Sequence, residues 1–571
     1  MEQIKHLFTK YEEDISRDMP WNVYPRPSLV RDSFYNLNGS WDFAVTKEGD
    51  MPEYNQKILV PFAPESRLSG ICAEIPSGSV MHYRRGFSLP KEFIRKRVIL
   101  HFGAVDTIAE VILNGKIIGV HEGGYLPFCF DITDAICEKN ELYIRVRDNL
   151  DKKYPYGKQT KKRGGMWYTP VSGIWQTVWI ESVPENYVSA IEIDTDMNSA
   201  KIKVFGGAQS KKLTIEETGD VFEFIDDDVT VSPSIIRRWS PEAPNLYNFT
   251  LESGEDTVKG YFALRKISVR EIAGIKRLCL NDEPYLFNGL LDQGYFPDGI
   301  FLPATEKGFE DDIRMAKSLG FNTLRKHIKV EPEIFYNLCD RLGIVVFQDM
   351  VNNGGYSFIL DTALPTVGLK RMPDALKNTN QEARKIFERE MLATIKHTNK
   401  FPSVLYYTVF NEGWGQFSAD KMYEIAKKAA PTRIIDATSG WFTRKKSDVD
   451  SRHVYFKPVK IKKVGDRPIV ISEFGGYSHR VSGHLATEDN YGYKLYDTIE
   501  DFRDGFINLY EKEILPLIPK GISALIYTQV SDVEDETNGL MTYDRQVIKP
   551  DADTTKEVMK RLSDSIKLTE N

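Results

Sequence analysis

Two apolar runs in this chain of 571 residues end on carboxylates. Val404-Leu405-Tyr406-Tyr407-Thr408-Val409-Phe410 leads into Asn411-Glu412-Gly413-Trp414-Gly415, and Arg467-Pro468-Ile469-Val470-Ile471-Ser472 leads into Glu473-Phe474-Gly475-Gly476. A single Glu after a strand is commonly a solvated or ion-paired loop residue. Two of them, one directly preceded by Asn and the other followed by glycines, make the pair that cleavage of a glycosidic bond requires. One carboxyl protonates the leaving oxygen, while the other attacks the anomeric carbon or activates water. Carboxyls roughly 5 to 5.5 Å apart would give retention of configuration, and a gap of about 6.5 to 9.5 Å inversion.

Such residues converge only if their strands share one mouth. After about residue 269, apolar runs alternate with helical patterns, the signature of parallel strands with crossover helices. Strands are expected at Tyr285 to Leu291, Asn322 to Arg325, Ile344 to Asp349, Val404 to Phe410, Arg433 to Asp436, His453 to Phe456, Ile469 to Ser472 and Ala524 to Gln529. Helices are expected at Glu310 to Leu319, Glu331 to Leu342, Gln381 to His397 and Asp420 to Ala429. The pattern is that of a (β/α)8 TIM barrel, whose active sites lie at the C-terminal ends of the strands. Glu412 would end strand four and Glu473 strand seven. Trp441 to Arg452 is too short and polar for a full helix, so the barrel should be irregular there.

The preceding sequence is all-β in character. Residues 1–183 read as short alternating strands with turns such as Asn114-Gly115, which suits a jelly-roll β-sandwich. Residues 184–268 add further short strands and fit an immunoglobulin-like sandwich. The barrel would take residues 269–571. With 75 basic against 82 acidic residues and a net charge of −7, no broad attraction to nucleic acid is expected. Five scattered cysteines without a CxxC pair suggest a reducing compartment and no metal site. The first twenty residues lack the apolar core of a signal peptide, and no run approaches the roughly 20 residues of a membrane span. A cytoplasmic protein is expected.

The motifs and their order resemble glycoside hydrolase family 2, the family of β-galactosidases and β-glucuronidases. The resemblance rests on Leu37-Asn38-Gly39-Ser40-Trp41-Asp42-Phe43, Tyr83-Arg84-Arg85-Gly86-Phe87, Val111-Ile112-Leu113-Asn114-Gly115 and Gly173-Ile174-Trp175-Gln176 in the first domain. In the second it rests on Trp239-Ser240-Pro241-Glu242-Ala243-Pro244-Asn245-Leu246-Tyr247. The barrel adds Gly320-Phe321-Asn322-Thr323-Leu324-Arg325, Leu338-Cys339-Asp340-Arg341-Leu342-Gly343 and His397-Thr398-Asn399-Lys400-Phe401-Pro402-Ser403, besides the two carboxylate motifs. The family implies a retaining double displacement, with Glu473 as nucleophile and Glu412 as acid/base. It further implies that Asn411 bonds the sugar 2-hydroxyl and that Tyr455 donates to the nucleophile; Arg325, if it points into the mouth from strand two, is placed to stabilise charge on Glu473. Asp292, His327, Trp441 and Gln529 stand at other strand ends as pocket candidates. A homo-oligomer is also implied.

Three stretches depart from the family pattern. Arg325-Lys326-His327 is one residue shorter than the usual arginine-to-histidine spacing. Asp349-Met350-Val351-Asn352-Asn353-Gly354-Gly355 stands where magnesium-dependent β-galactosidases carry Glu-x-His, so no metal or other cofactor is expected. Ile526-Tyr527-Thr528-Gln529 lacks the usual tryptophan of strand eight. Glu536-Thr537-Asn538 occupies the position of the β-glucuronidase Asn-x-Lys element, a charge pattern wrong for a carboxylate ligand. The expected substrate is therefore a terminal, neutral, β-linked sugar cleaved in exo fashion, galactose ahead of glucose and pentoses. A uronide hydrolase is the alternative, since Lys326, Lys329 or Lys370 could supply a cation. A non-catalytic carbohydrate-binding protein is the alternative from another class. The long loops Val351 to Lys377 and Tyr477 to Glu500 should shape the aglycone side or serve oligomer contacts.

Overall fold

The structure, a computed structural model, describes residues 7–366, 374, 378–461 and 465–567. It contains a jelly-roll sandwich, an immunoglobulin-like sandwich and a (β/α)8 barrel. The first sandwich packs a six-stranded antiparallel sheet against a four-stranded one. Alternation along Ile108–Leu113 and Asn140–Arg147 turns Val111, Leu113, Leu142, Ile144 and Val146 inward, where they meet Trp41, Tyr83 and Leu100. Gly173, at φ 70°, has no room for a side chain, because a Cβ would lie 2.0 Å from the Tyr83 hydroxyl. The second sandwich pairs sheets of three and four strands around Ile202, Leu213, Phe249 and Val258.

The barrel strands are β1 (Phe287–Asp292), β2 (Thr323–Lys326), β3 (Val345–Asp349), β4 (Val404–Asn411), β5 (Ile434–Ser439), β6 (Asp450–Val454), β7 (Ile469–Gly475) and β8 (Ile522–Thr528). Helices α1 (Lys307–Ser318), α2 (Glu333–Leu342), α3 (Gln381–Thr398), α4 (Ala419–Ala429), α5 (Ile499–Asn508) and α6 (Ala552–Lys567) surround them. No described helix is long and apolar enough to cross a membrane. The parallel ladder runs in the order β5-β4-β3-β2-β1-β8-β7-β6, so the seam lies between β5 and β6. Side chains close it: Asp448 accepts from the backbone of Ile435 at 2.8 Å, and Ser439 Oγ lies 2.9 Å from His453 Nε2. This is the expected irregular region. Strand β6 starts earlier than expected, and its register against β7 slips between Arg452 and His453, leaving Tyr455 just beyond the strand.

A hairpin of Ile267–Ile272 and Ile275–Leu280 spans the expected 268/269 boundary. Its Leu278 and Leu280 pack with Phe287, Phe347 and Tyr406 and plug the N-terminal end of the barrel. The buried Arg277 guanidinium donates to the carbonyls of Ile518 and Ile522, each at 2.8 Å, and ties the plug to β8. At the opposite end, the first domain reaches over the mouth. Tyr156 OH donates to Gly354 O at 2.8 Å after β3, while Tyr168 OH donates to Glu536 at 2.7 Å and Thr169 N to Glu534 at 2.8 Å after β8. One wall of the mouth therefore belongs to the first domain.

Candidate active site

Residues at the strand ends alternate between lumen and outer face, and this decides which of them can meet. Arg325 on β2 points inward and is buried, yet all its nitrogens are used. Nε donates to Asp349 at 2.9 Å, Nη1 to Glu473 at 3.0 Å and to the Ser472 carbonyl at 2.9 Å, and Nη2 to Asn411 Oδ1 at 2.8 Å. Burial opposes the charge, but Asp349 and Glu473 outweigh it and hold the guanidinium protonated. Glu473 receives a second donor, Tyr455 OH at 2.8 Å on Oε2. The Tyr455 ring stacks on Tyr493, 3.8 Å between centroids, which fixes the hydroxyl.

Glu412 follows β4 in a left-handed conformation, φ 52°. A non-glycine residue held there costs of order 1 to 3 kcal/mol and needs support from its surroundings. Its N–H donates to Ser439 O at 2.9 Å, and its carbonyl accepts from Trp441 Nε1 at 3.0 Å. The bend carries the carboxyl toward Glu473. Its Oε1 lies 2.8 Å from His453 Nδ1, and His453 Nε2 lies 3.4 Å from Glu473 Oε1. One donor atom from each of Glu412, His453 and Glu473 falls within 4.8 Å of the other two. These three could offer ligand atoms to a cation, and Arg325 already supplies a positive charge against Glu473.

Of the expected site residues, Glu412, Glu473, Asn411, Tyr455, Arg325, His327 and Trp441 come together. His327 Nδ1 lies 2.7 Å from Asp349 Oδ2. Burial lowers this histidine to about 3 despite that bond, so the ring is neutral. Asp349, pushed up by burial, is held below the usual carboxylate range by Arg325 and His327. Asp292 and Gln529 do not join the cluster. Asp292 pairs in register with Lys326 on the outer face of the barrel, and the two meet at 2.6 Å. Gln529, just past β8, is buried and bonds Gln293, Glu536 and Asn538. The strand period explains Asp292, which falls one residue out of phase with the lumen position Leu291, whereas Gln529 lies past the end of β8. Lys326 and Lys329 are also committed, to Glu331 at 2.7 and 2.8 Å; Lys370 lies outside the described residues. His453 and Asp349 were missed. Asp349 ends an apolar run like those before the glutamates, so the same rule finds it, whereas nothing local distinguishes His453 on its strand.

Comparison with known proteins agrees with this architecture. A family model described as a glycosyl hydrolase 2 galactose-binding domain-like region matches residues 73–176, and the glycosyl hydrolases family 2 TIM barrel model matches residues 276–563. A β-galactosidase of Clostridium acetobutylicum is 24% identical over 84% of this chain and 54% of its own length. The chain spans about half the length of this and of another β-galactosidase, from Thermoanaerobacter pseudethanolicus. Among solved structures, a β-D-glucuronidase of Dictyoglomus thermophilum superposes with a TM-score of 0.72 at 18% identity, covering 95% of this chain and 98% of that one. A β-galacturonidase of Eisenbergiella tayi bound to galacturonate gives 0.68 at 18% identity, covering 95% and 99%. Since the barrel model alone takes in half of the sequence and the galactose-binding-like match precedes it in order, the chain belongs to glycosyl hydrolase family 2.

Proposed function

We propose that the protein is a retaining, exo-acting β-glycosidase that removes a terminal neutral sugar, with β-galactosides ahead of other neutral glycosides. The observation that carries the reading is the approach of Glu412 and Glu473 oxygens to within 4.8 Å, on the short side of the spacing that distinguishes nucleophilic attack from water activation. In the first half-reaction Glu412 gives its proton to the glycosidic oxygen as that bond breaks, and Glu473 attacks the anomeric carbon to form a glycosyl ester. In the second, Glu412 takes a proton from water, which attacks the anomeric carbon and releases Glu473. Arg325 and Tyr455 hold Glu473 for attack. Asn411, its carbonyl fixed by Arg325, turns its amide donors to the sugar, where contact with the 2-hydroxyl strengthens as charge develops.

The charge of the mouth supports a neutral sugar. After β8 Asn538 stands in place of a lysine and Glu536, bonded by Tyr168 and Gln529, in place of an asparagine, and Lys326 and Lys329 are consumed in buried pairs. One observation favours uronides instead. Lys158, from the first domain, exerts its charge on both Glu536 and His327 and could meet a sugar carboxylate. The reaction type is tested separately from the sugar. A 2-fluoro glycoside of an accepted sugar should label one site, on the peptide containing Ser472-Glu473-Phe474, and NMR should show the β-anomer as the first product. A label on Glu412, or an initial α-anomer, overturns the double displacement.

A further inference from the structure

His453 touches both reacting carboxylates and has no role in that scheme. Its side chain is fully buried, and the surroundings are shaped to hold it. Trp441 lies edge-on with ring centroids 5.5 Å apart. At Gly440, φ 93°, a Cβ would come within 2.8 Å of the imidazole, so the ring occupies space that any other residue there would take.

The partners of the ring favour one tautomer. Ser439 Oγ donates to Ser472 Oγ at 2.9 Å, which leaves its lone pairs facing His453 Nε2 at 2.9 Å. An Nε2–H satisfies this contact and also faces Glu473 Oε1, an acceptor 3.4 Å away. A neutral imidazole has one N–H, so Nδ1, 2.8 Å from Glu412 Oε1, presents a lone pair. Burial keeps the ring neutral, holding its pKa at about 3 against the attraction of Glu473.

We propose that His453, as the Nε2–H tautomer, is a positioning residue whose Nδ1 accepts a hydrogen bond from the Glu412 carboxyl in the resting site and so keeps the acid/base loaded until the glycosidic oxygen takes that proton. The inference rests on Glu412 being the acid/base. A hydrogen bond to the neutral form disfavours ionisation, so Nδ1 raises the affinity of Glu412 for its proton. Once that proton has gone to the leaving group, the carboxylate faces a lone pair and is a stronger base toward water. His453 neither gains nor loses a proton over the cycle.

The other groups facing this pair do not change charge near neutrality. Arg325 stays protonated, His327 neutral and Asp349 ionised. Tyr356, Tyr455, Tyr491 and Tyr493, which look onto Glu412 from the loops after β3, β6 and β7, are raised by burial. Glu473 faces the ring from β7. The alkaline limb of kcat/KM then reports Glu412.

Two variants and one spectrum test the proposal. His453→Phe fills the ring volume without an acceptor, and His453→Gln offers a carbonyl in place of Nδ1. For His453→Phe the alkaline limb should move about one pH unit toward acid, and kcat/KM should fall at least roughly tenfold more for a poor leaving group than for an activated one. His453→Gln should recover part of both effects. An unmoved limb, or equal losses across leaving groups, overturns the proposal. Long-range proton–nitrogen NMR of the full chain carrying nitrogen-15 histidine, assigned by loss of one ring in His453→Gln, should show a neutral Nε2–H imidazole from pH 5 to 8. An imidazolium or Nδ1–H form overturns it, even if no glycoside is cleaved. If Glu412→Ala shows no leaving-group dependence, the acid/base reading itself fails, a result distinct from a wrong tautomer.

Discussion

Glu473 receives donors on both oxygens, Arg325 at 3.0 Å and Tyr455 at 2.8 Å, whereas Glu412 is met on Oε1 by the imidazole Nδ1 at 2.8 Å. Donors aimed at a carboxylate stabilise its charged form, and an acceptor stabilises the protonated one. In the proposed double displacement these identical side chains take opposite tasks, and a residue-scale prediction follows for the acid/base. Glu412→Ala should slow substrates with poor leaving groups by about 10² to 10⁴-fold, the usual span for lost general acid catalysis, and activated aryl glycosides far less. Added azide should restore turnover of the activated substrates and yield the β-glycosyl azide, since a small anion can use the space left by the carboxyl without needing a base. Steady-state rates across a leaving-group series and chromatography of the azide product check this, and uniform losses without azide product would remove Glu412 from the proton-donor role.

The elements that carry these residues divide into a chemical end and a structural end. Arg277, in the hairpin below the barrel, bonds carbonyls of the segment that leads into β8 and lies far along the strands from the carboxylates. Arg277→Met should cost about 2 to 3 kcal/mol, the range for hydrogen bonds to a charged group, and lower the melting temperature by several degrees. Its kcat at 25 °C should be unchanged; calorimetry with parallel rate measurements separates the two, and a lost kcat with intact melting would contradict the division. All eight barrel strands and four of the helices were legible because each pairs an apolar run with a turn or a helical period, a local signal. The hairpin plug was not, because its half-exposed strands, with Arg270 opposite Arg277 across the pair, show their purpose only once β8 lies over them. The same limit applies within the site. Glu412 and Glu473 are marked by the runs that precede them, whereas His453 gains meaning from the slip of β6 against β7 and from the empty side of Gly440, neither of which is written near position 453. Asp292 shows the converse: it ends a strand run, but phase along the strand rather than position at its end decides what enters the lumen.

At the scale of the whole molecule, specificity is a matter of which domains contribute charge to the mouth. The barrel supplies Glu412, Glu473 and Glu536, all acidic, with Arg325 already saturated by four acceptors. The first domain contributes Tyr168, bonded to Glu536, and Lys158, whose charge reaches the same glutamate. A uronic acid entering this mouth would bring a further carboxylate beside Glu473 and Glu536 and lose its hydration, which a single partly exposed lysine offsets poorly. A hydroxymethyl group needs only hydrogen bonds, which Glu536 and the tyrosines can accept or donate. We therefore expect p-nitrophenyl β-galactoside, or failing that another neutral glycoside, to be cleaved at least tenfold more efficiently than p-nitrophenyl β-glucuronide and β-galacturonide, a gap of about 1.4 kcal/mol in transition-state binding. Initial rates on the panel at one pH decide the matter. If a uronide instead leads by that margin, Lys158 becomes its partner, and Lys158→Met should then abolish the uronide preference. A preference that survives that change would place the carboxylate against the backbone donors of the mouth and remove the first domain from selectivity altogether.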